Sequence, residues 1–225
     1  MKKILYPVLS IFAMLAFAAC SKNSSAPANS AYVMMWNGCV GTTSVDVKVD
    51  GKSVPNGTGI PYCGNSGYQF ATANAAVSIN YSLSSLGTPL ANSSATMLTG
   101  QHYTMFCGGL VTAPRLLFTI DSITATSNDR AKIRLVNLSP DTLAANASAG
   151  SQIFAAGISS IQASQFVEVP AGGSEIKAGD PSNISTVISL GTQSLSAGKM
   201  YTLILSGTRN GTGQSALRLT LIGNN

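Results

Sequence analysis

Val45-Asp46-Val47-Lys48-Val49-Asp50-Gly51 is the stretch on which the fold class turns. Valines alternate with charged residues, so one face of an extended segment packs inward and the other meets water. Asp50-Gly51 follows with two residues that tolerate positive φ, as a tight hairpin turn requires. Ala216-Leu217-Arg218-Leu219-Thr220-Leu221 alternates in the same way, and Tyr201-Thr202-Leu203-Ile204-Leu205 is a β-rich run before Gly207. No segment after the first twenty residues carries a helical period. Short strands separated by Gly, Asn, Pro and Ser turns predict an all-β protein built from Ig-like antiparallel β-sandwiches.

The chain also repeats itself at a distance of about 98 to 100 residues. Ala31-Tyr32-Val33-Met34-Met35-Trp36-Asn37 corresponds to Ala131-Lys132-Ile133-Arg134-Leu135-Val136-Asn137. Tyr68-Gln69-Phe70-Ala71 corresponds to Phe166-Val167-Glu168-Val169, and Leu98-Thr99-Gly100-Gln101-His102-Tyr103 to Leu195-Ser196-Ala197-Gly198-Lys199-Met200-Tyr201 with one residue inserted. Tyr68 to Tyr103 and Phe166 to Tyr201 are both 35 residues apart. The period is too long for a solenoid unit, so it predicts two whole domains in tandem, 31–125 and 130–225.

The Val-Asp-Val-x-Val-Asp-Gly strand, Arg134-Leu135-Val136-Asn137-Leu138-Ser139-Pro140-Asp141, the Val169-Pro170-Ala171-Gly172 turn and the Leu-x-Ala-Gly-x-x-Tyr-Thr ends resemble the family catalogued as domain of unknown function 4397. The resemblance runs from about Ala31 to Ile222. It implies small β-sandwich domains of bacterial envelope proteins, frequently lipoproteins. These motifs are turns and core strands; they specify fold and bring no established activity.

The first twenty residues carry an address. Met1-Lys2-Lys3 is a short positive start, Ile4 to Ala16 is mostly apolar, and Phe17-Ala18-Ala19 leads into Cys20. Those are the parts of a secretory signal, and the apolar run is shorter than the ~20 residues a membrane-spanning helix needs. Small residues running directly into a cysteine resemble a lipobox, although Phe17 stands where leucine is usual. The resemblance implies removal of residues 1–19 and a diacylglycerol on Cys20, enough for stable anchoring. Residues 20–30 are rich in Ser and Asn and read as a flexible tether. Ser21, in place of an aspartate that retains lipoproteins at the inner membrane, implies an outer-membrane lipoprotein.

Composition narrows the function. Only 9% of residues are charged, and there is one His and one Trp. The formal net charge is +5, two units of which leave with Lys2 and Lys3. The remaining basic residues are scattered, so nothing supports nucleic-acid binding. His102 lies in a turn before a strand, without the nucleophile and acid that a hydrolytic triad needs. Glu168 and Glu175 flank one predicted turn as solvated charges. Lys48 between Asp46 and Asp50 argues against calcium. No catalytic, metal or cofactor site is predicted.

Once Cys20 is lipidated, Cys39, Cys63 and Cys107 remain, all in the first domain. Export permits a disulfide with one thiol left over. The short enclosed loop favours Cys39–Cys63, with Cys107 a buried thiol. A metal site of all three cysteines is the alternative, though it lacks close ligand spacing. Ser122 in Asp121-Ser122-Ile123 and Thr142 in Asp141-Thr142-Leu143 match a short O-glycosylation pattern of Bacteroides-like bacteria. The sequence thus predicts a non-enzymatic envelope lipoprotein that reaches the membrane through its lipid and takes an envelope glycan or protein as partner. A pilin-like structural subunit is the alternative, weakened because no basic residue lies between Lys22 and Lys48.

Overall fold

The computed structural model describes residues 27–121 and 126–224. The signal peptide, Cys20, the tether through Ala26, and Ser122 lie outside the described residues. The first half contains β1 (Ser30–Asn37), β2 (Ser44–Val49), β3 (Lys52–Ser53), β4 (Ile60–Pro61), β5 (Gly64–Thr72), β6 (Ala76–Leu83), β7 (Pro89–Thr96), β8 (His102–Leu110) and β9 (Ala113–Ile120). The second contains β10 (Arg130–Asn137), β11 (Ala145–Ala149), β12 (Gln152–Ile158), β13 (Gln162–Ala163), β14 (Val167–Pro170), β15 (Gly172–Gly179), β16 (Ile188–Leu195), β17 (Met200–Ser206) and β18 (Arg218–Gly223).

Each half forms two sheets. In the first, β5-β1-β8-β9 faces β3-β2-β6-β7, with β4 also on β2. In the second, β13-β10-β17-β18, with β14 also on β10, faces β12-β11-β15-β16. The Val45 strand behaves as its pattern dictates: Val45, Val47 and Val49 are buried, while Lys48 is exposed. Asp50 and Gly51 take φ of 49° and 72°, closing a two-residue turn in which Val49 pairs with Lys52. In the second half Ala145, Ala147 and Ala149 hold those inward positions, and Phe154 and Ile176 add bulk to that core.

Most pairings are antiparallel, but the central pair of one sheet in each half is parallel. Tyr32 aligns with His102 through to Asn37 with Cys107, and Lys132 with Met200 through to Asn137 with Leu205. The Val169-Pro170-Ala171-Gly172 turn carries the chain from one sheet to the other: β14 pairs with β10, whereas β15 pairs with β11 and β16. Glu168 and Glu175 therefore belong to different sheets.

The repeated Gly-x-x-Tyr-Thr signature has one physical cause in both copies. Gly100 and Gly198 sit at φ of 74° and 76°, where a side chain would be strained. The hydroxyl of Tyr103 accepts the Leu98 N–H at 2.9 Å, and that of Tyr201 accepts the Ser196 N–H at 2.9 Å. Each tyrosine thus ties its strand to the turn that delivers it.

The two halves also share a core. Inward residues of β1 and β8 pack toward β2 and β6, and those of β10 and β17 toward β11 and β15. The opposite faces of β1, β8, β10 and β17 meet one another: Trp36, Phe106, Val136, Leu138 and Ile204 form a third buried cluster. The molecule is four sheets deep, and its two middle sheets are covered on both faces. Strands buried on both faces are apolar at successive positions rather than at alternate ones, which accounts for Val33-Met34-Met35-Trp36 and Leu203-Ile204-Leu205. Because the two tyrosines do equal work, Tyr103→Phe and Tyr201→Phe should each lower stability by about 1 kcal/mol in urea unfolding; a loss at only one position would break the equivalence of the copies.

Candidate functional site at the junction of the two halves

The junction is held by a closed ring of polar groups. Asp121, fully buried at the end of β9, receives Tyr68 Oη–H at 2.7 Å and Thr104 Oγ1–H at 2.5 Å. Its other oxygen pairs with the Arg134 guanidinium from β10. Arg134 Nε donates to Thr202 Oγ1 at 2.9 Å, Thr202 donates to Asn224 Oδ1 at 2.7 Å, and Asn224 Nδ2 returns to the Tyr68 oxygen at 3.4 Å. Arg134 Nη1 also donates to the Ile120 carbonyl at 3.1 Å. Burial lowers the pKa of the Arg134 guanidinium, and Asp121 opposes that shift. Burial, then the Asp121 charge, pushes the Tyr68 phenol up.

The ring follows from the duplication. Thr104 and Thr202 are equivalent, since Met34 aligns with Thr104 and Arg134 with Thr202. Asp121 and Asn224 are equivalent too: their N–H groups donate to the carbonyls of His102 and Met200. The copies differ where they meet, with Met34 against Arg134, Asp121 against Asn224 and Tyr68 against Phe166.

Beside the ring a cleft of about 360 Å³ runs between β9 and the β13–β14 segment. Leu117 and Ile120 line one side; Gln162, Gln165 and Phe166 line the other. Arg134 borders it with its guanidinium 4.5 Å from the centre of the Phe166 ring. Gln162 and Gln165 are exposed, and Ile120 is 58% exposed. On the opposite edge of the junction Arg218 lies 5.3 Å over the Tyr62 ring instead.

His102 stacks on Tyr32 at 4.3 Å and meets the edge of Tyr68 at 4.9 Å, with Phe70 beyond Tyr32. It is part of an aromatic row across β5, β1 and β8, not the turn residue expected. Burial lowers its pKa, against a smaller opposing effect of Asp121. Among the described residues no three His, Cys, Asp or Glu side chains gather as a metal would require. Asp46 accepts the Gly59 N–H at 2.8 Å and Ser84 Oγ–H at 2.6 Å, and these bonds lower its pKa. Glu175 is exposed and pairs with Lys177 at 2.8 Å.

Thr142 corrects an expectation: it is fully buried with its hydroxyl 3.0 Å from Ser139 Oγ, so the folded chain does not expose it to a glycosyl group. The cysteines divide as well. Cys39 and Cys107 share the core of the first half, whereas Cys63 packs at the junction cluster. All three are free thiols in the structure, and Cys63 lies outside the core cluster that holds Cys39 and Cys107.

Residues 31–148 match the family described as domain of unknown function, DUF4397. The chain belongs to that family. No curated protein sequence matches this DUF4397 chain. Among solved structures, it is similar to the crystal structure of CBMbc (family CBM26) from Eubacterium rectale Amy13K in complex with maltoheptaose. The two are 8% identical, the alignment covers 87% of this chain and 97% of that one, and the TM-score is 0.27. A score that low does not establish a shared fold.

Two expectations follow from the junction. Asp121→Ala leaves the Arg134 charge buried and unpaired, which should cost roughly 3–5 kcal/mol. Asp121→Asn with Arg134→Met installs the residues of the equivalent positions and should recover most of that loss in chemical denaturation. A double variant no more stable than Asp121→Ala would show that the pair is not what matters. His102, in turn, should titrate below the ordinary 6.5 in NMR, and Tyr32→Ala should raise its midpoint by uncovering the ring. The unfolded chain takes up that proton first, so this contribution to stability is lost as pH falls from about 6.5 through the folded value.

Proposed function

We propose that this DUF4397 protein is a lipid-anchored, non-catalytic binding module of the bacterial cell envelope, held at the outer membrane through Cys20, and that its junction cleft takes a neutral glycan. The cleft carries the reading. It is assembled from both copies, so it exists only where the halves are docked, and the ring beneath it holds that docking rigid. Among the described residues that line it, the cation is Arg134, and Asp121 neutralises it, which removes the attraction for an anionic ligand. What remains is two exposed side-chain amides, each both donor and acceptor, beside the apolar surfaces of Ile120 and Phe166. Hydroxyl groups interleaved with C–H faces are the chemistry such a surface matches, and small-molecule sites generally combine apolar lining with a few polar groups. The diacyl anchor and the tether place that cleft within reach of the envelope and its glycans.

Two measurements test this. Intact mass of the membrane-extracted protein should show loss of residues 1–19 and gain of acyl chains, with Cys20→Ala released or unprocessed. The mature chain should bind members of an array of neutral oligosaccharides, and Gln162→Ala with Gln165→Ala should weaken that binding at least tenfold without changing the unfolding midpoint. Unchanged binding in the double variant, or none to any neutral glycan, would sink the assignment of the cleft.

A further inference from the structure

We infer that Cys39 and Cys107 form a disulfide in the exported protein, leaving Cys63 as its free thiol. Both residues are fully buried in the same core cluster, at the end of the parallel β1–β8 pair. Gly38 N–H donates to the Cys107 carbonyl at 2.7 Å and Val40 N–H to the Gly109 carbonyl at 2.8 Å, so the chain around Cys39 is docked along β8. Both are free thiols in the structure, and each shifts the other's pKa through a hydrogen bond between them. Cys39 lies in the turn after β1, outside the ladder, with its N–H on Asn37 Oδ1 at 3.3 Å.

The second copy shows what this position requires. Leu138 N–H donates to Leu205 at 2.8 Å, and Ser139 N–H to Asn137 Oδ1 at 3.1 Å, so Ser139 is the equivalent of Cys39 and Leu205 that of Cys107. There the turn is tied down by polar bonds. Ser139 Oγ–H donates to Asp141 at 3.0 Å, Ser139 Oγ also lies 3.0 Å from the Thr142 hydroxyl, and both Asp141 oxygens accept the Arg209 N–H at 3.1 Å. In the first copy Gly41 stands at the place of Asp141, and the turn is held instead by Val40, whose N–H donates to the Gly109 carbonyl at 2.8 Å and whose carbonyl accepts the Val111 N–H at 2.8 Å. A thiol pair occupies the positions of Ser139 and Leu205, and its oxidation adds a covalent tie beside those bonds.

The step is a two-electron oxidation. Two S–H bonds break and one S–S bond forms, while two electrons and two protons pass to a disulfide-bearing oxidant of the cell envelope, which leaves as a dithiol. The Cys107 interaction lowers the pKa of the Cys39 thiol, which favours Cys39 as the attacking sulfur. Since both sulfurs are buried in the folded core, the exchange belongs to the period when β1 and β8 are pairing.

This inference rests on the exported reading above, and its test separates the two. The full chain is extracted from membranes under acid quench and alkylated in denaturant. It is then reduced, labelled with a second reagent and digested so that Cys63 is separated from Cys107. The expected result is a processed chain with one alkylated cysteine, Cys63, and Cys39 joined to Cys107. Reduction should lower its thermal midpoint by at least about 5 °C, and Cys63→Ser should leave the link intact. A processed chain with three alkylated cysteines, or with Cys63 in the link, overturns the pairing. If the leader is retained instead, the exported reading fails, and the purified chain is oxidised with glutathione disulfide. Formation of the Cys39–Cys107 link there upholds the pairing; its absence overturns it.

Discussion

Asp121 is the carboxylate around which the two halves are organised. It closes β9 as the last residue of the first half's described chain, and it accepts bonds from Tyr68 and Thr104 behind it and from Arg134 ahead of it. Taking a carboxylate and a guanidinium out of water costs several kcal/mol per ion, and their attraction offsets this only with good geometry and further hydrogen bonds. The ring supplies those bonds from both halves at once. A sliding or rotation of one sandwich against the other would strip the pair of its partners. The apolar cluster of Trp36, Phe106, Val136, Leu138 and Ile204 drives the halves together without direction; the ring selects one arrangement among the many that burial alone would accept.

That arrangement is asymmetric although the copies are related by duplication. Both keep what a β-sandwich needs locally: the asparagine that ends the first strand, the left-handed glycine and the tyrosine that ties the turn. They diverge where they face each other. Arg134 answers Asp121 because Met34 and Asn224 stand at the equivalent positions, so unlike groups meet across the junction. The same divergence opens one edge and occupies the other. Next to β9 the small residues Ala163 and Ser164 leave a cleft, while next to β18 Arg218 lies over Tyr62.

How much of this was legible in the sequence depended on whether the signal was local. The Val45 hairpin was, because alternation and an Asp-Gly pair depend only on neighbours. The tandem copies were, because matched spacings survive divergence. The parallel pairing of β1 with β8 was not, since a parallel ladder joins residues some seventy positions apart with no turn to announce it. The junction was hidden for a related reason. Arg134 read as one scattered cation, and Asp121 entered only as the start of a short Asp-Ser-Ile pattern. The one available signal was Val33-Met34-Met35-Trp36: continuous apolar character where an ordinary sandwich strand would alternate, which marks a strand covered on both faces. Thr142 misled for the opposite reason, as a local motif whose hydroxyl the fold consumes.

Placing the candidate site at the junction has a consequence for how such a module works. A cleft inside one sandwich would be present twice in a duplicated chain. A cleft between the copies is present once, and it depends on residues that the copies do not share. Gln162, Gln165 and Phe166 line the cleft with β9 of the first copy, while in the first copy's own counterpart segment Cys63 packs on the junction cluster and Tyr62 lies under Arg218. Specificity can then change by substitution on either wall without disturbing either core, because each core is completed by the inward faces of its own strands. What cannot change freely is the floor. Any substitution that loosens Arg134 from Asp121 disturbs the floor between the walls, so the shape of the cleft and the docking of the halves are coupled through the same ion pair.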